Sequence, residues 1–242
     1  MTRTLHLVAV GHHVEQARAV ARSLRGTAFV DERAGAQDLP FRAMVVAVTD
    51  DLESFSRAAG VGAYVVCRRI VKARGPRESA RDVLESAVPV EPEVAGIDGE
   101  SSARDARDVR DARDGPEESA AGSGAFTPGA RLPGVIGLFP MVRHPDRSHR
   151  DADRHWRDVH APLALEHHAA MSHYTQLSVV HRLHGPEWDG FALCGFDSME
   201  DLKERFFATP EGRIAIRDDV ARFADTRSSP RRLIVVEESY GG

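Results

Sequence analysis

Residues 155–163 read His-Trp-Arg-Asp-Val-His-Ala-Pro-Leu, and their spacing predicts one face of a helix. Trp156, His160 and Leu163 recur at i, i+4 and i+7, so a helix places all three on one side. An indole and an imidazole on an apolar face indicate a helix packed on a sheet, with a titratable group in the contact. The question raised by this stretch is whether His160 is catalytic or only packed.

The segments around this helix predict a regular order of elements. We expect a strand at 134–142, a helix from 148 or 151 to about 170, strands at 173–183 and 191–196, helices at 199–207 and 209–223, and a strand at 233–236. Pro140 indicates an edge or a bulge late in the first of these strands. The order is β-α-β-β-α-β, which is typical of a ferredoxin-like domain.

The N-terminal part of the chain predicts the same order. We expect strands at 5–10, 27–31, 43–48 and 62–71, helices at 12–25 and 50–59, and a trailing helix at 77–86. A four-stranded sheet with helices on one face leaves its other face bare, so that face needs a cover. Two such sheets in one chain can cover each other and close a barrel, with the helices outside.

The predicted fold class is therefore α+β, with two ferredoxin-like βαββαβ domains that form an intramolecular dimeric α+β barrel. We place a divergent half-barrel at residues 1–90 and a second domain at residues 132–242. Residues 91–131 between them contain the run Arg104–Asp114, in which an Arg-Asp pair returns every three residues. A segment with so few apolar side chains predicts a low-complexity, disordered linker without chemistry of its own.

Composition narrows the classes of partner. The 242-residue chain has a formal net charge of -5 and an isoelectric point near 6.2, which favours neither nucleic acid nor an anionic membrane. No apolar run approaches the roughly 18 residues of a membrane helix, and the N-terminus lacks the pattern of a signal peptide. The two cysteines, Cys67 and Cys194, have no CxxC neighbour, so we expect a cytoplasmic protein.

The C-terminal half resembles the EthD family, which belongs to the dimeric α+β barrel superfamily. The resemblance covers roughly residues 134–240 and is carried by HWRDVHAPL at 155–163, by Tyr174 on the next strand, and by Phe-Asp-Ser at 196–198 before a further helix. It implies an enzyme or accessory factor acting on a small, often aromatic or ether-type compound. Superfamily relatives include cofactor-independent monooxygenases of anthrone-like substrates, polyketide cyclases, muconolactone isomerases and haem proteins, so the fold does not decide the reaction.

The family histidine corresponds to His160 and its aromatic neighbour to Trp156. The N-terminal half has His12 and His13 only at the start of its first helix and has no His-Ala-Pro. We therefore expect one functional site per chain, with the N-terminal half as a structural partner. Since the motif occurs once in a chain whose fold is predicted twice, packing of the fold alone does not require it.

Each candidate residue has a functional and a structural interpretation. His160 is our candidate general acid/base, and the alternative is a core histidine hydrogen-bonded to a backbone carbonyl. Trp156 and Tyr174 are candidates for substrate binding, through stacking and through a hydroxyl group, although a buried indole usually packs a core. Phe139 and Phe196 are candidates for the walls of the same cavity, and both equally suit a small core.

Pro162 removes one helical hydrogen bond and frees the carbonyl of Asp158, which either opens the helix beside the site or only kinks it. Nine of the twelve histidines fall within residues 144–184, but His160 is separated from His155 by five residues and from His167 by seven. These are not recognised ligand spacings, so we expect no metal and no other cofactor. Neither cysteine has a context that activates a thiol, and no nucleophile elbow or phosphate loop occurs.

The favoured function is an EthD-like enzyme, an oxidoreductase of the cofactor-independent monooxygenase type, acting on a small apolar or aromatic molecule. A cyclase, isomerase or lyase of the same fold and a non-catalytic small-molecule-binding accessory protein are the alternatives. We expect no nucleic-acid or membrane partner. We expect the two halves to pair within the chain, and further association into a homodimer is left open.

Overall fold

The computed structural model describes residues 5–33, 38–75 and 127–241, which fall into one compact unit. The strands are β1 (Leu5–Gly11), β2 (Thr27–Val30), β3 (Ala43–Ala47), β4 (Gly62–Lys72), β5 (Ala130–Arg131), β6 (Val135–Met141), β7 (Met171–His184), β8 (Gly190–Phe196) and β9 (Leu233–Ser239). The helices are α1 (Val14–Ser23), α2 (Leu52–Ser56), α3 (His149–His155), α4 (Ala161–His167), α5 (Met199–Glu204) and α6 (Pro210–Val220), and a π-helical turn at Trp156–His160 joins α3 to α4.

Eight of these strands close into an antiparallel barrel in the order β2-β3-β1-β4-β7-β8-β6-β9. Pairing of β4 with β7 joins the N-terminal strands to the C-terminal ones, and pairing of β2 with β9 closes the ring. The short β5 pairs with the last residues of β9, and β6 pairs with the first residues of β9. The expected α+β barrel, closed within one chain, is confirmed.

The division of this barrel into two ferredoxin-like domains stays a prediction, as do the boundaries 1–90, 91–131 and 132–242. The N-terminal half as a divergent copy is likewise a prediction. The trailing helix expected at 77–86 and most of the expected linker lie outside the described residues.

Side-chain alternation along the strands separates two apolar layers. On β4, Tyr64 and Val66 face the barrel interior, whereas Ala63 and Val65 face the layer that includes α1. On β7, Leu177 lies in the interior, and Tyr174 packs in the layer outside. Because successive strand residues point to opposite faces, these two layers share one sheet without sharing side chains.

Pro140 lies in β6, opposite Phe191 of β8. On its other side, β6 pairs with β9 only from Ile136 to Leu138. Pro140 therefore occupies a position where the second neighbour has ended and no amide hydrogen is needed, as expected for a proline late in a strand.

The helix that carries the HWRDVHAPL motif is widened in the turn Trp156–His160, which precedes Pro162. Proline has no amide hydrogen to donate to Asp158, and in the preceding turn the amide of Ala161 donates to the carbonyl of Trp156, five residues back. Of the two outcomes considered for Pro162, the helix opens by one residue beside the site. Ser148 caps α3 by accepting from the amide of Asp151, which fixes where this helix begins.

Among the described residues, no helix is long and apolar enough to cross a membrane.

Candidate functional site

A cavity of about 330 Å³ lies between the outer face of the C-terminal strands and the helices that cover them. Its walls are mostly apolar, with Phe206 and Phe207 on one side and Phe223 on another. Ala192 and Cys194, on alternate positions of β8, form part of its floor. A mostly apolar cavity with a few polar groups is typical of a small-molecule site.

Four of the five residues singled out in the sequence line this cavity: His160, Trp156, Tyr174 and Phe139. Phe196 does not line it. Phe196 is fully buried, and its ring centroid lies 5.4 Å from that of Phe206, which does line the cavity. The structure therefore brings four of the residues together and places the fifth behind the wall; their catalytic and binding roles remain predictions.

His160 is held by a buried carboxylate on α6. Its Nδ1 lies 2.9 Å from Oδ2 of Asp219, and Nε2 of His155 lies 2.7 Å from Oδ1 of the same carboxylate. Burial by itself would raise the pKa of Asp219, but the hydrogen bonds from His160 and His155 outweigh it and hold that pKa below its ordinary value. An ionised carboxylate only accepts hydrogen bonds, so each imidazole donates to it.

This contact fixes the orientation of His160. When Nδ1 carries the hydrogen donated to Asp219, Nε2 of the neutral ring is unprotonated and can accept a proton. The rings of His160 and His155 also lie 5.1 Å and 5.3 Å from that of Phe223, which restricts both imidazoles. The interpretation of His160 as a core histidine bound to a backbone carbonyl is not what the structure has, since its partner is a carboxylate.

Asp219 was not singled out in the sequence, although a signal was present. Ile216, Val220 and Phe223 recur at helical spacing and form the buried or cavity-lining side of this segment. Asp219 occupies the same side and is only 4% exposed. A carboxylate on the apolar face of a helix requires a buried partner, and this pattern is the one that points to it.

Tyr174 and Trp156 are joined by a hydrogen bond. Nε1 of Trp156 donates to the Tyr174 hydroxyl oxygen at 3.0 Å, and Nε2 of Gln176 donates to the same oxygen at 3.1 Å. Burial raises the pKa of Tyr174 well above its ordinary value, so the phenol stays neutral. With both lone pairs engaged, the hydroxyl can interact with a bound molecule only by donating its own hydrogen.

Arg69, on β4 of the N-terminal half, contacts the side chains around the Trp156–Tyr174 pair. Its guanidinium donates to both carboxylate oxygens of Asp153 at 2.7 and 2.9 Å, and to Oε1 of Gln176 at 3.0 Å. The same group lies 5.6 Å from the centre of the Trp156 ring, within the range of a cation–π contact. These contacts join residues 84 and 107 positions apart, which sequence spacing could not indicate.

Four further polar side chains of the described residues line the cavity: His168, Cys194, Thr226 and Ser229. Nδ1 of His168 donates to the carbonyl of Phe206 at 2.7 Å, and burial lowers the pKa of His168 to about 4, so its ring is neutral near pH 7. Burial raises the pKa of Cys194 to about 12, which keeps its thiol protonated. His168 follows the last residue of α4 and lies eight residues after His160, a spacing that favours the same side of a helix and was a signal that the sequence interpretation did not use.

Within the described ranges, no three side chains of His, Cys, Asp or Glu are grouped in a way that could hold a metal ion. The polar groups that line the cavity include an imidazole backed by a carboxylate, a neutral imidazole, a neutral phenol, a thiol and the hydroxyl groups of Thr226 and Ser229. Together they can remove a proton from a bound molecule and donate a hydrogen bond to an oxygen that becomes negative, inside an apolar enclosure.

Residues 144–227 match the family model described as EthD domain. This range contains His160, Trp156, Tyr174 and Asp219. Among solved structures, the chain is similar to one described as "Crystal structure study of anthrone oxidase-like protein", with 11% sequence identity and a TM-score of 0.48, covering 98% of this chain and 93% of that chain. No curated protein matches the sequence.

Proposed function

We propose that the chain, in which residues 144–227 match the family model described as EthD domain, is an enzyme acting on a small apolar or aromatic compound. It binds this compound in the cavity between the C-terminal strands and the helices that cover them, the helix-side cavity, and removes a proton from it. The observation that supports this most is the contact of His160 with buried Asp219 at the edge of an apolar space of about 330 Å³. A base, a group that orients the base and a hydrogen-bond donor are the parts that such a reaction needs.

In the proposed first step, Nε2 of His160 takes a proton from a carbon that an adjacent carbonyl makes acidic. The imidazolium that forms is stabilised by the carboxylate of Asp219, which is already in place. The electron pair left on the substrate moves to the carbonyl oxygen, giving an enolate. The Tyr174 hydroxyl, which can only donate, then stabilises the oxygen on which that charge develops.

The proposed second step makes the protein an oxidoreductase of the cofactor-independent monooxygenase type. The enolate carbon reacts with dioxygen, and the methylene group becomes a carbonyl while the second oxygen atom leaves as water. In the balanced reaction, one CH₂ and one O₂ give one C=O and one H₂O. The apolar walls suit this chemistry because they admit dioxygen and exclude bulk water from the carbanion.

Two alternatives share the same cavity. A cyclase, isomerase or lyase would use the same proton abstraction without consuming oxygen. A non-catalytic accessory protein would bind the compound with the Trp156 and Phe139 side chains and leave it unchanged. The His160–Asp219 contact favours the catalytic proposals, since binding of an apolar molecule does not need a carboxylate-backed base.

The occupant of the cavity can be captured directly. The purified protein is incubated with cell extract and its bound small molecules are identified by native mass spectrometry. Ala192→Phe adds a ring at a position that lines the cavity, so we expect this variant to lose the captured compound. Val180→Phe, at an exposed position on β7, is the matched control and should retain it. Equal capture by both variants would place the ligand elsewhere and oppose the proposal.

The reaction class follows from oxygen consumption. With an aromatic ketone of the anthrone type, the wild-type protein should consume one dioxygen for each carbonyl formed. His160→Gln should lose this activity, while His184→Gln, at an exposed position near the end of β7, should keep it. Turnover without oxygen uptake would support the isomerase class, and unchanged turnover by folded His160→Gln would contradict the acid/base role.

A further inference from the structure

We propose that the open end of the barrel interior is a second binding site, which takes an organic anion with an apolar body, such as a medium-chain carboxylate. The site is a chamber of about 700 Å³ inside the barrel, separate from the helix-side cavity. Its inner walls are apolar, and its mouth is lined by cationic side chains from the last residues of β4 and the segment after it.

The chamber exists because the two ends of the barrel are filled differently. At one end, the large side chains of Phe41, Tyr64, Trp188 and Phe191 pack against one another, with ring centroids 5.4–6.5 Å apart. At the other end, the interior is lined mainly by aliphatic side chains such as Val46 and Leu193, and Phe29 is the one phenylalanine, tyrosine or tryptophan among the described lining residues. No comparable group of rings fills that end, so space for a ligand remains there among the described residues.

The two cavities lie on opposite faces of the same strands. On β8, Leu193 lines the chamber and Cys194 lines the helix-side cavity; on β7, Thr175 and Tyr174 are divided in the same way. Alternation along a strand therefore gives each site its own set of side chains. A ligand in one cavity does not contact the residues proposed for catalysis in the other.

The charges at the mouth favour an anion. Among the described residues, Arg25, Arg68, Lys72 and Arg74 line the chamber against one carboxylate, that of Glu237, which gives these side chains a formal charge of +3 in a protein whose net charge is -5. Burial is the main cause that lowers the pKa of His173, another lining residue, to about 4, so that ring adds no charge near pH 7. Cations concentrated at one opening attract an anionic ligand.

These cationic side chains differ in the hydrogen bonds and ion pairs that they already form within the protein. Arg74 pairs with Glu237 at 2.7 Å and also donates to the carbonyl of Pro133. The ammonium group of Lys72 donates to the carbonyl of Met171, which leaves two of its hydrogens. The side chain of Arg68 is exposed and has neither a hydrogen bond nor an ion pair with another described residue. Arg68 and Lys72 are thus the groups able to bind a carboxylate at the mouth.

The rim also carries apolar surface that favours an amphiphilic ligand. Val48 is 62% exposed and Ile70 is 59% exposed, and both line the chamber. On β4, Ile70 lies between Arg68 and Lys72 in the sequence, and all three side chains line the chamber. A hydrocarbon chain would extend inward past Ile70 toward Phe29 and Leu177, and its charged head would stay at the two cations.

The test is a calorimetric titration of the full chain with decanoate, below the concentration at which decanoate forms micelles. We expect one bound decanoate, and Arg68→Gln combined with Lys72→Gln should weaken binding about tenfold or more, because charge-assisted hydrogen bonds are lost. Added salt should also weaken it, since the contacts are at an exposed mouth. Both substituted side chains are exposed, and a near-ultraviolet circular dichroism spectrum checks that the fold is kept.

Controls separate this site from the helix-side cavity. Arg150→Gln removes an exposed charge on α3 that has no ion pair with another described residue, and it should leave decanoate affinity unchanged. Ala192→Phe, which fills the other cavity, should also leave it unchanged. The proposal is overturned if decanoate does not bind, if Ala192→Phe abolishes binding, or if uncharged methyl decanoate binds as tightly as the anion.

Discussion

The carboxylate of Asp219 lies 2.9 Å from Nδ1 of His160, although 59 residues separate the two in the chain. Strands β7 and β8 and helix α5 lie between the two residues in the chain, and they place α6 beside the helix that carries the HWRDVHAPL motif. His155 binds the second oxygen of the same carboxylate at 2.7 Å, so one buried anion orients two imidazoles. The proposed chemistry depends on this arrangement.

Asp219→Asn should lower kcat/KM about ten- to a hundredfold and change KM little. The two imidazoles bind different oxygens of Asp219, and asparagine replaces one of these acceptors with an NH₂ donor. A hydrogen bond to a charged group contributes about 1.5–3 kcal/mol. Steady-state kinetics with a ketone that the wild-type protein converts measure kcat/KM and KM. Asp218→Asn, at the exposed neighbouring position, is the control and should be neutral. Equal kinetics for the two variants would show that Asp219 does not support the base.

His168→Gln should reduce the loss of stability in mild acid. The pKa of His168 is about 4 in the folded protein against an ordinary 6.5, so between these values the unfolded chain binds a proton here and the folded chain does not. The free energy of unfolding therefore falls as pH drops from about 6.5 to 4, by about 3 kcal/mol for this residue. Urea denaturation of wild type and variant across that range measures the difference.

The exposed His12→Gln variant is the control for that experiment. It should show the same decline in stability as the wild-type protein. If the free energy of unfolding of His168→Gln falls as steeply as that of His12→Gln between pH 6.5 and 4, the imidazole of His168 is not held neutral by burial.

Tyr174→Phe should destabilise the protein by about 1–3 kcal/mol, because the buried Nε1–H of Trp156 loses its acceptor. We also expect slower turnover, since the donor proposed to stabilise the enolate is removed. Tyr64→Phe is the comparison: its hydroxyl donates to the carbonyl of Pro186 in the other apolar layer, so turnover should be unchanged. Turnover by Tyr174→Phe at the wild-type rate would remove Tyr174 from the proposed mechanism.

Arg69→Met should destabilise the protein by about 3 kcal/mol, because it leaves the carboxylate of Asp153 without its bidentate partner in a largely buried position. The double variant Arg69→Met with Asp153→Leu removes both charges and should recover part of that loss. Denaturant unfolding of the two single variants and the double variant gives the coupling between them. Additive effects would mean that this pair does not join the N-terminal strands to the motif helix.

Local sequence patterns predicted most of the elements. Apolar runs located the barrel strands, and Ser198 and Thr209 cap α5 and α6 through hydrogen bonds to the amides of Asp201 and Gly212. The two-residue β5 was not predicted, since so short a strand has no periodicity of its own. The motif at residues 155–163 was enough to place Trp156 and His160 beside one cavity.

The rest of the site depends on contacts between distant residues. Arg69 contacts Asp153 from a distant strand, and no local pattern indicates this partner. The apolar helix face around Asp219 indicates a buried partner for its carboxylate but does not identify that partner as His160. Phe196 was expected in the cavity wall, but it lies behind Phe206. The expectation was wrong because spacing along the chain does not show which of two aromatic side chains is more deeply buried. Likewise, the presence of the chamber inside the barrel depends on how side-chain volumes add up across many strands.

The most direct test of the proposed proton transfer is hydrogen–deuterium exchange at the acidic carbon of a bound aromatic ketone, followed by nuclear magnetic resonance in D₂O without oxygen. Excluding oxygen separates proton abstraction from any later oxidation. We predict that the wild-type protein accelerates exchange and that His160→Gln loses about 10²–10⁴-fold of that acceleration, the usual contribution of a general base. Exchange at the same rate with wild-type protein and folded His160→Gln would contradict the assignment of His160 as the base.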